Sequence, residues 1–248
     1  MCTLLIYRNP KSDWPVVIAT NRDEYYERKF RPPAYHWKNK NIFAGKDKKK
    51  GGSWLGVNSA GVCVCILNRK NKEVKKINKS RGLLVLRALE KNSALSAKNQ
   101  VFKIIDSSFY NFNLFITDKK NAYWIKYEHN LIQSFLIPYG FSILDNYDLN
   151  DNKSNKQKDY LKYFKKKAFP SLDLDNSKEW RQLLLENFGS KKYPIFIKSK
   201  KNGYGTVSSS IIGLNRKKNN LGSNILWLYN EKGNYNKNFS KIYPIGGN

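Results

Sequence analysis

The 248-residue chain is 40% hydrophobic and 14% aromatic, enough apolar surface to bury a core, which excludes a disordered polypeptide. Its 46 Lys plus Arg against 19 Asp plus Glu give a formal net charge of +27. The lysines are scattered or sit in short loop-like runs such as KDKKK, with no nucleic-acid-binding signature beside them, so the charge reads as solvated surface and a nucleic-acid partner is disfavoured.

In chain order, Cys2 to Tyr7 is apolar and β-rich, RNPKSD is turn chemistry, and Trp14 to Thr20 is a second strand; the three make a hairpin. The proline-broken stretch RKFRPPAYHWKNKN reads as a loop. GGSWLGV and VCVCILN flank NSAG, a hairpin signal because Asn and Gly tolerate positive φ. SRGLLVLRALEKN spaces leucines at helical intervals behind Ser80 as N-cap, and a second helix is predicted over Ser93 to Ile105. NLFITD, the turn KKN and AYWIKYE form a third hairpin, with IQSFLI as a further strand. A polar connection, DNYDLNDNKSNKQKD, leads to amphipathic helices over Tyr160 to Phe169 and Ser177 to Phe188. YGTVSSSIIGLN and NILWLYN then return to strands around the turn RKKNN. Strands paired in hairpins and grouped apart from the helices predict an antiparallel α+β layer protein, in one domain over residues 1–248. The oligomeric state is left open.

Three cysteines at no zinc-like spacing, with two histidines, give no basis for a metal site, a cofactor or a disulfide framework. Cys63 and Cys65 share one face of a strand and read as core. No stretch approaches the roughly 18 consecutive apolar residues of a membrane span, and LLIY is too short for a leader, so a cytoplasmic setting is expected.

Cys2 is the exception among the cysteines. With the first turn centred near residue 11, antiparallel register sets Cys2 opposite about Thr20, and Asn21, Arg22 and Asp23 leave the sheet beside the chain terminus. Removal of Met1 would give Cys2 a free α-amine with a pKa of about 8, able to take the thiol proton. A guanidinium such as Arg22 favours the thiolate, and Asp23 can orient the amine. Asn68, ending VCVCIL roughly opposite Gly51, can offer its side-chain NH2 to an oxyanion, an interaction worth roughly 3 kcal/mol. GGSW supplies bare backbone for the close approach of a ligand.

MCTLLIY, TNRDE, GGSWLGVNSAGVCVCILN, SRGLLV and YGTVSSS occur in an order that resembles the NRDE family, the transport and Golgi organisation type. The resemblance covers most of the chain and is densest from Cys2 to Val85. It implies the four-layer αββα sandwich of the N-terminal nucleophile hydrolases, built on two mainly antiparallel sheets. It also implies Cys2 as nucleophile and base, Arg22 and Asp23 as supporting charges, and Asn68 as oxyanion donor in the cleavage of a small non-peptide amide. A second expectation keeps the fold without catalysis, as a carrier for haem, acyl-CoA or another amphipathic anionic ligand.

Overall fold

A computed structural model describes residues 2–69, 79–166, 177–186, 190, 192–198, 202–231 and 239–244. Six strands come first: β1 (Thr3–Arg8), β2 (Val16–Tyr25), β3 (Phe30–Tyr35), β4 (Ile42–Asp47), β5 (Leu55–Asn58) and β6 (Cys63–Asn68). Helices α1 (Gly82–Leu89) and α2 (Ala94–Ile104) follow, then β7 (Phe112–Thr117), β8 (Ala122–Glu128), β9 (Leu131–Leu136) and β10 (Gly140–Leu144). The chain continues through α3 (Asn155–Lys165), α4 (Lys178–Glu186), β11 (Tyr204–Leu214), β12 (Ile225–Glu231) and β13 (Ser240–Ile242).

Two compact units result, each with its own antiparallel sheet. Residues 1–27 and 138–243 carry a six-stranded sheet in the order β10-β1-β2-β11-β12-β13. Alternate residues of its strands, Leu5, Val17, Ala19, Ile143 and Ile211, pack with Tyr160, Phe164, Trp180, Leu183 and Leu184 of α3 and α4. Because α3 and α4 present an apolar stripe at helical spacing, they lie on that face and bury it. The other unit, residues 28–137 with 244–248, carries a seven-stranded sheet in the order β3 to β9. There Ala44, Val64, Leu114, Ile116 and Ile125 pack with Leu84, Val85, Ala88, Ala97 and Val101 of α1 and α2. The α+β class with two antiparallel sheets is as expected, and all three predicted hairpins are present.

Several local expectations are corrected. RKFRPPAYHWKNKN is not all loop: β3 is the outer strand of its sheet, and its register slips between Arg31 and Ala34, across Pro32 and Pro33. A proline removes a ladder donor, which an edge strand at a bulge tolerates. Ser80 is not the cap of α1; Arg81 occupies that position with no side-chain capping bond. Ser93 does cap α2, in a reciprocal pair with Ser96. α3 starts at Asn155, inside the stretch read as a connection, and the predicted ends at 167–169 and 187–188 lie outside the described residues.

Gly52 of GGSW serves the fold, while Gly51 takes a φ of +72° with open space where a Cβ would stand. A Cβ on Gly52 would fall 2.6 Å from the Gly82 carbonyl carbon, and Ser53 N–H donates to Gly82 O at 3.1 Å. The run therefore lets the β4–β5 connection meet the start of α1 backbone to backbone. Gly52→Ala should cost about 1–3 kcal/mol of stability, because the neighbour is backbone and cannot rotate away. Thermal denaturation checks this: the expected outcome is a Tm several degrees below that of the unsubstituted protein.

Candidate active site

The head of the six-stranded sheet is set by three registers. β1 pairs with β2 as Thr3↔Asn21, so one step further Cys2 stands opposite Arg22 and not Thr20. The turn is centred one residue later than expected, and each such residue moves the partner by two. Asn21, Arg22 and Asp23 do not leave the sheet: β2 runs on to Tyr25 and pairs with β11, Asp23↔Thr206 and Arg22↔Ser208. Val207 is the extra residue of a β-bulge at that point, a device that re-aims strand side chains. On the other flank β1 pairs with β10 as far as Leu4↔Leu144, and residues 145–148 continue from there as a bend.

Strand alternation then sorts these residues onto two faces. Cys2 and Arg22, opposite one another in register, share one face. Thr3, Asn21, Asp23 and Asp145 share the other, which α3 and α4 cover, and a buried polar network pins it there. Asn21 Nδ2 donates to Leu184 O at 2.8 Å and accepts at Oδ1 from Ser209 Oγ at 2.6 Å. Thr206 Oγ1 donates to Asp23 Oδ1 at 2.7 Å and accepts from Ile197 N–H at 2.9 Å. Asp145 accepts from Ser154 Oγ at 2.6 Å and Gln157 Nε2 at 2.7 Å, tying the first turn of α3 to the end of β10. Bonds of this kind to buried carboxylates contribute about 1.5–3 kcal/mol each, so the strand ends are held firmly.

The thiol lies against the main chain of Asp23. Asp23 N–H donates to Cys2 Sγ at 3.4 Å, and the thiol donates to Asp23 O at 3.7 Å. Burial, and after it the Asp23 carboxylate, push the Cys2 thiol above its ordinary value; the amino-terminal charge, the Asp23 N–H and Arg22 act the other way. Burial likewise raises the Asp23 carboxyl, opposed by the amino-terminal charge, Thr206 and Lys156. Arg22 is buried and lies 3.9 Å from Glu24.

Of the residues singled out in the sequence, Cys2, Arg22 and Asp23 come together at this strand end. Asn68 belongs to the other unit, where it ends β6 opposite Phe112 with its side chain exposed. Asn146 was not singled out: it is 7% exposed, and its Nδ2 makes no hydrogen bond to the described residues. It closes the GFSILDN stretch, in the bend that follows β10. Cys63 and Cys65 are buried in β6, as expected of core cysteines. Among the described residues no cluster of His, Cys, Asp and Glu is arranged to hold a metal, and no helix is long and apolar enough to cross a membrane.

Comparison with known proteins agrees with this architecture. The family model described as Transport and Golgi organisation 2 matches residues 1–222. The Transport and Golgi organization protein 2 homologs of Bos taurus and Homo sapiens are 28% and 29% identical over 127 and 131 residues. Those stretches are 48% and 49% of this chain and 45% and 47% of theirs, less than half the length of these relatives. Among solved structures, the Caenorhabditis elegans ortholog of N-acylethanolamine-hydrolyzing acid amidase superposes with a TM-score of 0.59 at 13% identity, covering 85% of this chain and 92% of that one. A mutant of conjugated bile acid hydrolase from Clostridium perfringens gives 0.55 at 11% identity, covering 98% and 92%. Penicillin V acylase from Agrobacterium tumefaciens gives 0.53 at 12%, covering 93% and 83%. At these identities the likeness concerns the fold, which is that of the N-terminal nucleophile hydrolases, as expected.

The charges around the thiol make a signed prediction. Asp23→Asn removes a carboxylate that raises the Cys2 pKa, so the pH midpoint of Cys2 alkylation should fall; Arg22→Gln removes a cation that lowers it, so the midpoint should rise. Rates of iodoacetamide modification across pH, with the label located by peptide mass, check both directions. Cys63 and Cys65, 1% and 3% exposed, should stay unlabelled until the protein unfolds.

Proposed function

The chain belongs to the Transport and Golgi organisation 2 family, and from that premise and the geometry at Cys2 we propose that it is an amidohydrolase cleaving a small non-peptide amide through a thioester. The observation that carries the reading is one strand end holding the Cys2 thiol on the Asp23 main chain, with Arg22 opposite it in register. The three fold neighbours named for amidase, bile acid hydrolase and acylase activities lend it support.

In the proposed reaction Met1, which lies outside the described residues, has been removed and Cys2 carries the α-amine. The amine takes the thiol proton as Sγ attacks the amide carbon, and the C=O electron pair moves to oxygen. Collapse of the tetrahedral species breaks the C–N bond; the ammonium returns its proton to the departing amine, leaving a thioester. Water, deprotonated by the same amine, then attacks the thioester carbon and releases the carboxylic acid and the Cys2 thiol. Asp23 positions the amine, and Arg22 offsets the negative charge that builds at sulfur. Asn146, a buried amide just past the end of β10, is one candidate oxyanion donor, and Asn68 is another on its sequence motif.

A non-catalytic carrier is the second reading, and two observations favour it. The Cys2 thiol is raised rather than activated. A cavity of about 370 Å³ in the same unit, lined by Trp14, Tyr243, Ile225 and Leu226 with Lys217 and Lys218, has the size and chemistry for an amphipathic anion. Haem and acyl-CoA are of that class.

Incubation with an activated acyl ester followed by intact mass distinguishes the two. The amidase reading expects one acyl group on Cys2, lost again with time, and none on Cys2→Ala; labelling indifferent to position 2 would remove it. Saturable binding of hemin or an acyl-CoA at micromolar concentration, unaffected by Cys2→Ala, would favour the carrier. If Asn146 serves the oxyanion, Asn146→Ala should slow acylation by about 10²–10³-fold. An unchanged rate there with a slow Asn68→Ala would move the role to Asn68.

A further inference from the structure

Lys156 belongs to none of the motifs that single out Cys2. It is the second residue of α3, whose first turn is fixed by the Ser154 cap on Gln157 N–H and by the bonds from Ser154 and Gln157 to Asp145. From that fixed start its Nζ reaches the first strand and donates to Thr3 Oγ1 at 3.2 Å. Thr3 is fully buried, peptide-bonded to Cys2 and opposite Asn21. An ammonium loses hydration when half-buried, and a neutral hydroxyl does not replace the lost interaction; a nearby carboxylate does. Two carboxylates share this face: Asp145, which accepts from Ser154 and Gln157, and Asp23, two residues along β2 from Asn21, which accepts from Thr206 and on which Lys156 acts electrostatically.

We propose that Lys156 is a positioning residue of the Cys2 centre that acts through Asp23, its ammonium keeping the buried carboxylate ionised so that it can orient the amine at the chain head. The other charged and titratable groups around Asp23 are the amino terminus and Cys2 at the head of β1 and Tyr204 on β11, and Asp145 lies on the same face just past β10. The cation from the helical layer thus balances a carboxylate that burial would otherwise neutralise.

The sign of the effect follows from linkage. Asp23 has its carboxyl raised in the fold, so its contribution to stability is present at acid pH and is lost as pH rises through its folded value. Lys156 limits that loss, and removing it enlarges the loss on the alkaline side only. Thermal denaturation of Lys156→Met at pH 5 and pH 8 should therefore show a drop in Tm about 2–4 °C larger at pH 8. Lys156→Arg should keep most of the native value, and in an Asp23→Asn background the difference between the two pH values should vanish. Loss of the Thr3 bond alone would lower Tm equally at both pH values and in both backgrounds, which would overturn the proposal. Should Asp23→Asn fail to fold, the Met and Arg variants at the two pH values decide by themselves.

The inference rests on reading the Cys2 end of the sheet as the site, yet it fails separately. A protein never acylated at Cys2 but with pH-dependent coupling of Lys156 to Asp23 removes the amidase reading and keeps the coupling. An acylated protein whose Lys156→Met loss ignores pH removes the Lys156 role alone. If both hold, the acid limb of Cys2 acylation should move to higher pH in Lys156→Met.

Discussion

The pairing of Thr3 with Asn21 is the constraint on which this protein's chemistry depends. A slip of one residue would turn every side chain of β1 to the opposite face, taking the thiol to the helical side and Thr3 away from it. Register is held from the helical face. Leu5 and Ala19 are packed among the core residues of α3 and α4, and the Asn21, Asp23 and Asp145 bonds tie polar strand ends to the same layer. The network leaves the polar strand ends no equivalent partners in a shifted register, so it specifies one arrangement as well as stabilising it.

That arrangement separates reactivity from support. One face presents the thiol and a guanidinium; the other carries the acid, its hydroxyl partner and an ammonium. Arg22 and Asp23, adjacent in sequence, must project to opposite faces of an extended strand. Sequence adjacency therefore does not split the pair between site and solvent. It splits them between two sides of one strand end, with the Asp23 main chain touching sulfur while its carboxyl is turned to the helical layer.

Much of this was legible in the sequence, and what was not has identifiable causes. Hairpins were readable because period-two apolar strands and Asn, Gly and Pro turns are local signals; so were the apolar helices α1 and α2. β3 was hidden by two prolines that only an edge position tolerates, and the start of α3 by a first turn of Asn, Lys and Gln with no apolar residue. The register error of two came from a single residue in the centre of the first turn. Lys156 was out of reach for a different reason. It reaches the head of β1 through a contact between residues 153 positions apart in the chain, Thr3 meeting Lys156. Asn68 was legible as a motif residue, and its exposed place at the end of β6 is a separate fact about the second unit.

The account stands on a thiol and a primary amine borne by the same residue. The intact mass of the protein purified from its native host tests this most directly. The account predicts a chain lacking its initiator methionine, with an N-terminal sequence beginning Cys-Thr-Leu-Leu. A mass showing Met1 retained throughout the folded population would contradict it, because the base would then sit on the wrong residue.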